Sequence, residues 1–180
     1  MELELKLESR LSAYVALTVV VISVFMALCK VQDGNLVDAM LHSDVKMVDT
    51  WNEYQAERIK MHDDENGAAS LKIQSNIAGV NIGAASAEEA RLIREAAKYA
   101  KSSSALAQEA RSYERIYEYA ERRHNQFSTT DAYCAISLAV AAVAALTNFL
   151  PLLFVAWFVG GYGLLAGLAG FMGWISPLFG

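Results

Sequence analysis

Charge is absent from two long stretches of this chain, and that absence constrains its fold more than any other feature. None of the 35 charged residues lies in 11–29 or in 132–180, whereas 30 of them lie in 30–131, as 13 Lys/Arg and 17 Asp/Glu. An ordinary soluble globule does not segregate charge in this way, and the pattern is that of a membrane protein with one polar helical domain. A net charge of −5 without a basic block excludes a nucleic-acid binder. Two cysteines exclude a disulfide-rich secreted domain.

Residues 11–29 read LSAYVALTVVVISVFMALC. As a helix they reach roughly 28 Å, close to the hydrocarbon thickness of a bilayer. A cleaved signal peptide would have a more basic start and an Ala-x-Ala site. Here Glu2, Glu4 and Glu8 outnumber Lys6 and Arg10, and no such site follows. The segment reads as an uncleaved signal anchor after a polar tail, 1–10. The second charge-free stretch is long enough for two spans. Asn148 and Pro151 mark the break, because proline lacks a backbone donor and disfavours helix at the residue before it. The expected spans are 132–149 and 152–175, forming an antiparallel hairpin. Tyr133, Trp157, Tyr162 and Trp174 are candidate interfacial anchors.

Gly160, Gly163, Gly167 and Gly170 recur at spacings of three, four and three in the third span. They share one helical face, and Gly163/Gly167 forms a GxxxG pair that lets another helix approach closely. The other use of such a face is the wall of a pore or lipid groove. No Asp, Glu, Lys, Arg or His lies within a span, which argues against secondary transport and proton relay.

The polar domain, 30–131, reads as two helical patterns. In 35–62, Val37, Met40, Met47, Trp51, Tyr54 and Met61 follow a three-four spacing, supported by Leu41 and Val48 and interrupted by Asp44 and Arg58. Asp63-Asp64-Glu65-Asn66-Gly67 is expected to end that helix. Residues 68–85 carry a weaker pattern around Ile73, Ile77 and Val80. Ser86-Ala87-Glu88-Glu89 has the form of a capping box. A heptad seam follows through Leu92, Ala96, Tyr99, Ser103, Leu106, Ala110, Tyr113, Tyr117, Ala120, His124 and Phe127. The 42 residues from 86 to 127 would extend roughly 63 Å. Since 35–62 is shorter, the excess seam is expected to meet another subunit. The fold class is therefore all-α: three transmembrane helices, with a long-helix antiparallel coiled-coil-like domain between the first and second.

Chemistry is sparse. Glu121-Arg122-Arg123-His124 is a single Glu-x-x-His motif, where carboxylate-bridged di-iron bundles use two plus two further glutamates. His124 is expected in the seam instead. Asp63, Asp64 and Glu65 lack the spacing of a calcium loop and read as a solvated turn. Cys29 and Cys134 end their spans on the domain side, where an oxidising compartment would permit a disulfide. No catalytic, cofactor-binding or metal residues are assigned. Trp51, Tyr54, Gln55 and Arg58 fall near one helical face, as a core patch or as a candidate interaction patch for an unidentified protein partner.

The word Trp51-Asn52-Glu53-Tyr54-Gln55-Ala56-Glu57-Arg58-Ile59-Lys60, with one N-terminal span, a long Ala/Glu/Arg-rich helix and a Gly-rich C-terminal hairpin, resembles the bacterial membrane family catalogued as domain-of-unknown-function family 4337. That resemblance implies a bacterial inner-membrane protein and no assigned activity. Its members often carry basic residues at the hairpin tip, which would place the tip and the N-terminus inside. This chain has Thr147-Asn148-Phe149-Leu150-Pro151 there. Lys6 and Arg10 before the first span, against Lys30 after it, favour an extracytoplasmic polar domain, whereas Arg122 and Arg123 favour the opposite. The expected role is a non-enzymatic, self-assembling membrane scaffold in the lipid bilayer, a homo-oligomer. The alternatives are a homo-oligomeric channel and a sensor or accessory subunit.

Overall fold

The computed structural model describes residues 2–76 and 82–174. Three helices account for nearly all of them: α1 (Glu2–Ser75), α2 (Ile82–Thr147) and α3 (Leu150–Met172). Each contains a stretch long and apolar enough to cross a membrane. No strand occurs among the described residues. Two compact units divide the chain. One takes the described residues up to Met40 and from Glu118 onward; the other is Leu41–Tyr117. Helices α1 and α2 contribute to both.

The first span and the first polar-domain helix are thus one element, and the second span continues the long helix. No proline lies in 2–76 or in 82–147 to stop either. Gly67 does not end α1, contrary to the sequence expectation; the helix passes it and reaches Ser75. Its Cα lies so near α2 that an added Cβ would stand 3.1 Å from Leu92 Cδ1. Close packing of this kind outweighs the roughly 1 kcal/mol helix cost of a glycine. Asp63, Asp64 and Glu65 accordingly lie on a helix and not in a turn. Ser86 does not cap α2 either. It lies inside the helix, and its hydroxyl donates to the Gly83 carbonyl at 3.1 Å. Of the weaker pattern, Ile77 and Val80 lie outside the described residues, as does the last residue of the expected third span.

In the Leu41–Tyr117 unit the seam positions on α2 are the inward ones. Ala96, Ser103 and Ala110 are buried, and Leu92, Tyr99, Leu106, Tyr113 and Tyr117 are half-buried. The small row thus faces α1 most closely. On α1 the inward row runs through Ser43, Met47, Thr50, Tyr54, Glu57 and Met61. Lys60 lies over the Tyr99 ring at 5.5 Å, so numbering rises along α1 from Lys60 to Gly67 as it falls along α2 from Tyr99 to Leu92. Two expectations change. Leu41 and Val48 do not support this core, being 62% and 49% exposed. Asp44 and Arg58 do not interrupt it, because both lie outside it and Ser43 and Thr50 fill the row. Because α1 extends to Ser75, the seam is not longer than its partner within the chain.

The other unit packs α3 against both long helices. An apolar cluster joins Leu11, Val15, Ala141, Ala144, Leu153 and Ala156. A second joins Cys29, Leu36, Ala120 and Phe127, with Phe25 and Met40 against it. Between α2 and α3 the chain reverses at Asn148 (φ 51°, left-handed), with Phe149 extended and Pro151 in the first turn of α3. Proline is tolerated there because the first helical N–H groups have no partner in any case.

Candidate functional site

The glycine face of α3 is turned inward. Gly160, Gly163, Gly167 and Gly170 are all buried. An added Cβ would stand 2.6 Å from Ser137 Oγ at Gly160, 3.0 Å from Cys134 Sγ at Gly163, 2.6 Å from the Phe25 ring at Gly167 and 3.2 Å from the Phe127 ring at Gly170. The stripe is therefore occupied by α1 and α2 of the same chain. It is neither a free surface for another subunit nor a pore wall.

Hydrogen bonds reinforce this contact. Ser137 Oγ donates to the Ala156 carbonyl at 2.7 Å, across the α2–α3 interface. Trp157 Nε1 donates to Thr18 Oγ1 at 2.8 Å, and the Thr18 hydroxyl donates onward to the Tyr14 carbonyl at 2.7 Å. An indole N–H among apolar side chains needs such an acceptor. The end of α3 is held from α2. Gly173 adopts a left-handed conformation (φ 69°), and the Trp174 N–H donates to the Ala169 carbonyl. Arg123 Nη2 donates to the Gly170 carbonyl at 3.0 Å, and Gln126 Nε2 to the Trp174 carbonyl at 3.0 Å. A cation at a helix C-terminus also meets the negative end of its dipole.

Beside this end lies a polar cavity of about 130 Å³, lined by Cys29, Lys30, Asp33, His124, Phe127, Ser128 and Asp131. His124 Nδ1 donates to Asp33 Oδ1 at 2.6 Å, and Lys30 Nζ stands 3.9 Å from Asp131. Both contacts join α1 to α2. The His–Asp pair ties α1 to α2 across the cavity through one oxygen of the carboxylate and one ring nitrogen. Among the described residues no cluster of His, Cys, Asp or Glu is arranged to hold a metal ion. Glu121 of the Glu-x-x-His motif is exposed while His124 turns to Asp33. Cys29 and Cys134 are buried free thiols. A second cavity, about 330 Å³, opens between α1 and α3 and is lined by Tyr14, Leu17, Val21, Trp157, Gly161 and Leu164. Its lining suits a hydrocarbon chain better than a polar ligand.

The Trp51 patch belongs to the other unit. Trp51 and Tyr54 are half-buried and meet edge to face, with ring centroids 5.2 Å apart. Gln55 and Arg58 are exposed, so the four do not share one inward face. Arg58 Nη2 donates to His62 Nε2 at 3.2 Å. Because a guanidinium cannot accept, the His62 proton sits on Nδ1 and is donated to Glu65 at 3.0 Å. Outside the membrane candidates, Arg91 pairs with Glu88 one turn away on α2. Hydrogen bonds from Arg91 hold the Glu88 carboxyl below its ordinary range.

Sequence reasoning missed the Asp33–His124 pair and the Arg123 and Gln126 bonds to the end of α3. Their partners lie 91, 47 and 48 residues away, and no local spacing reports a contact of that kind. The one available signal was the presence of polar residues, Asp33 and Gln126, at the margins of charge-free segments.

No curated protein and no solved structure matches the chain. The family described as Domain of unknown function (DUF4337) matches it over residues 11–173. The chain belongs to the DUF4337 family.

Proposed function

We propose that this protein is a non-enzymatic integral membrane scaffold of a bacterial inner membrane, spanning it three times and holding its polar helical unit outside the bilayer. One observation carries the reading: large apolar side chains of the spans face outward. Leu17, Val20, Val24, Leu146, Phe154 and Phe158 are 57–86% exposed. In water such a surface is unfavourable by roughly 25 cal/mol per Å², and in lipid it is matched. The polar groups of the same unit support a structural role, since Ser137, Trp157, Arg123 and the Asp33–His124 pair each bind another helix and Gln126 binds the chain just after α3. The α2–α3 pair in this reading is a transmembrane hairpin, and the α1–α2 pair in the Leu41–Tyr117 unit is an antiparallel coiled coil. Lys6 and Arg10 flanking the first span support an extracytoplasmic polar unit. The scaffold self-associates through that unit.

Alkaline carbonate washing of membranes tests the reading. The full chain should remain in the pellet and leave it only with detergent. Release by carbonate alone would refute it.

A further inference from the structure

A second seven-residue pattern runs along α1, and nothing among the described residues covers it. Val45, Asn52, Ile59, Asn66 and Ile73 recur every seven residues, and all five are exposed. Between them fall Leu41, Val48, Gln55, His62 and Ala69, also exposed, which completes alternating four-three steps over five heptads. This row lies about 140° around the helix from the row that meets α2. Eleven of the 33 residues from 41 to 73 are Asp, Glu, Lys or Arg, yet none falls on it. A solvated face of so charged a helix would carry some of them. The three β-branched residues of the first row are 58%, 62% and 67% exposed.

We infer that this face pairs α1 with α1 of a second copy, parallel and in register. The inference rests on the membrane reading, because two copies inserted with the same orientation present α1 in the same direction. In that register each layer meets itself, so Val45, Ile59 and Ile73 pack on their own counterparts. Asn52 and Asn66 meet their own counterparts as well, and side-chain amides can donate and accept mutually. β-Branched residues at this heptad position favour two parallel strands, and an Asn there specifies register at a cost in stability. Flanking charge agrees at the centre, where Arg58 of one copy lies beside Asp63 of the other. At the N-terminal end Asp44 lies beside Asp49 of the other copy, so contact is strongest over 52–73. An antiparallel pairing would instead oppose Asn66 to Val48. The face is roughly 48 Å long and, at a helix width of about 10 Å, buries roughly 1,000 Å² over both copies, the area at which specific interfaces begin.

Cysteine cross-linking in native membranes tests this, using the full chain with Cys29→Ala and Cys134→Ala as background. Single cysteines at 45, 52 and 59 should oxidise to same-site dimers several-fold more than cysteines at 46, 53 and 60. Ile59→Asp should reduce the detergent-corrected mass from two copies to one, with helicity by circular dichroism retained. Equal yields along the helix, a preferred 41–73 cross-link, or an adduct to a different protein would overturn the inference. If carbonate leaves the chain in the pellet while the seven-residue periodicity is missing, the pairing is wrong and the membrane reading stands. If carbonate releases it, both fall.

Discussion

The same two helices build both units, yet the units are organised inside out relative to each other. In the unit with α3 the exterior is Leu, Val and Phe, and the interior is Gly, Ala, Ser and hydrogen-bonded polar groups. In the Leu41–Tyr117 unit the exterior carries Glu, Lys and Arg, while the interior holds Ala96, Ser103, Ala110 and Met61. Small residues line the helix contacts in both, because both bring long helices into close approach. The difference lies in the outward face, and in the proposed membrane reading it follows the solvent: lipid for one, water for the other. An exposed apolar side chain is therefore ordinary in the first unit and informative in the second.

The largest effect should come from filling the glycine face. At Gly167 a side chain would meet the Phe25 ring and Thr130 at 2.6 and 2.9 Å, so Gly167→Leu should destabilise the protein by about 3 kcal/mol or more. Loss of monodispersity on heating in detergent reads it out. The counterpart in the polar unit is Ala110→Leu. Ala110 is fully buried, and forcing α1 and α2 apart there should cost about 1–3 kcal/mol. Hydrogen exchange should quicken in 41–117 more than in the spans; the reverse distribution would break the distinction between the units.

A smaller loss is expected from Gln126→Met. It removes the bond to the Trp174 carbonyl but also a buried acceptor, Oε1, that has no partner among the described residues. The two changes oppose, leaving a cost of about 1 kcal/mol or less in thermal unfolding. Gly34→Ala should act in the other direction. Nothing stands within 4 Å of the added Cβ, so the helix gains about 0.5–1 kcal/mol. The smallest effect concerns pH. The Glu88 carboxyl is held low by hydrogen bonds from Arg91, so its folded pKa lies below the unfolded one. Its contribution is present at neutral pH and fades as pH falls through that lowered value. The Glu88 side chain is 45% exposed, so Glu88→Gln should lower the melting midpoint only slightly at neutral pH and not in acid.

Sequence alone showed the charge-free segments, the seam on α2 and the glycine face, since each is periodic or compositional. It misplaced what depends on packing between distant residues. Gly67 looked like a stop because helix propensity was the only term visible, and Leu92 across the interface was not. Leu41 and Val48 looked like core because they are apolar, but Ser43 and Thr50, one row over, are the residues α2 covers. Small polar residues in a tight seam resemble surface residues in a sequence. For the same reason the uncovered row on α1 became visible only once its exposure was known.

The central claim is that the outward faces of the two units meet different solvents. Labelling with a membrane-impermeant maleimide tests it most directly, on single cysteines at Leu17, Val24 and Phe158 against Glu53, Glu114 and Arg94. The account predicts prompt labelling of the last three from one side of the membrane and protection of the first three until detergent is added. Equal labelling of Leu17, Val24 or Phe158 in intact membranes would contradict it.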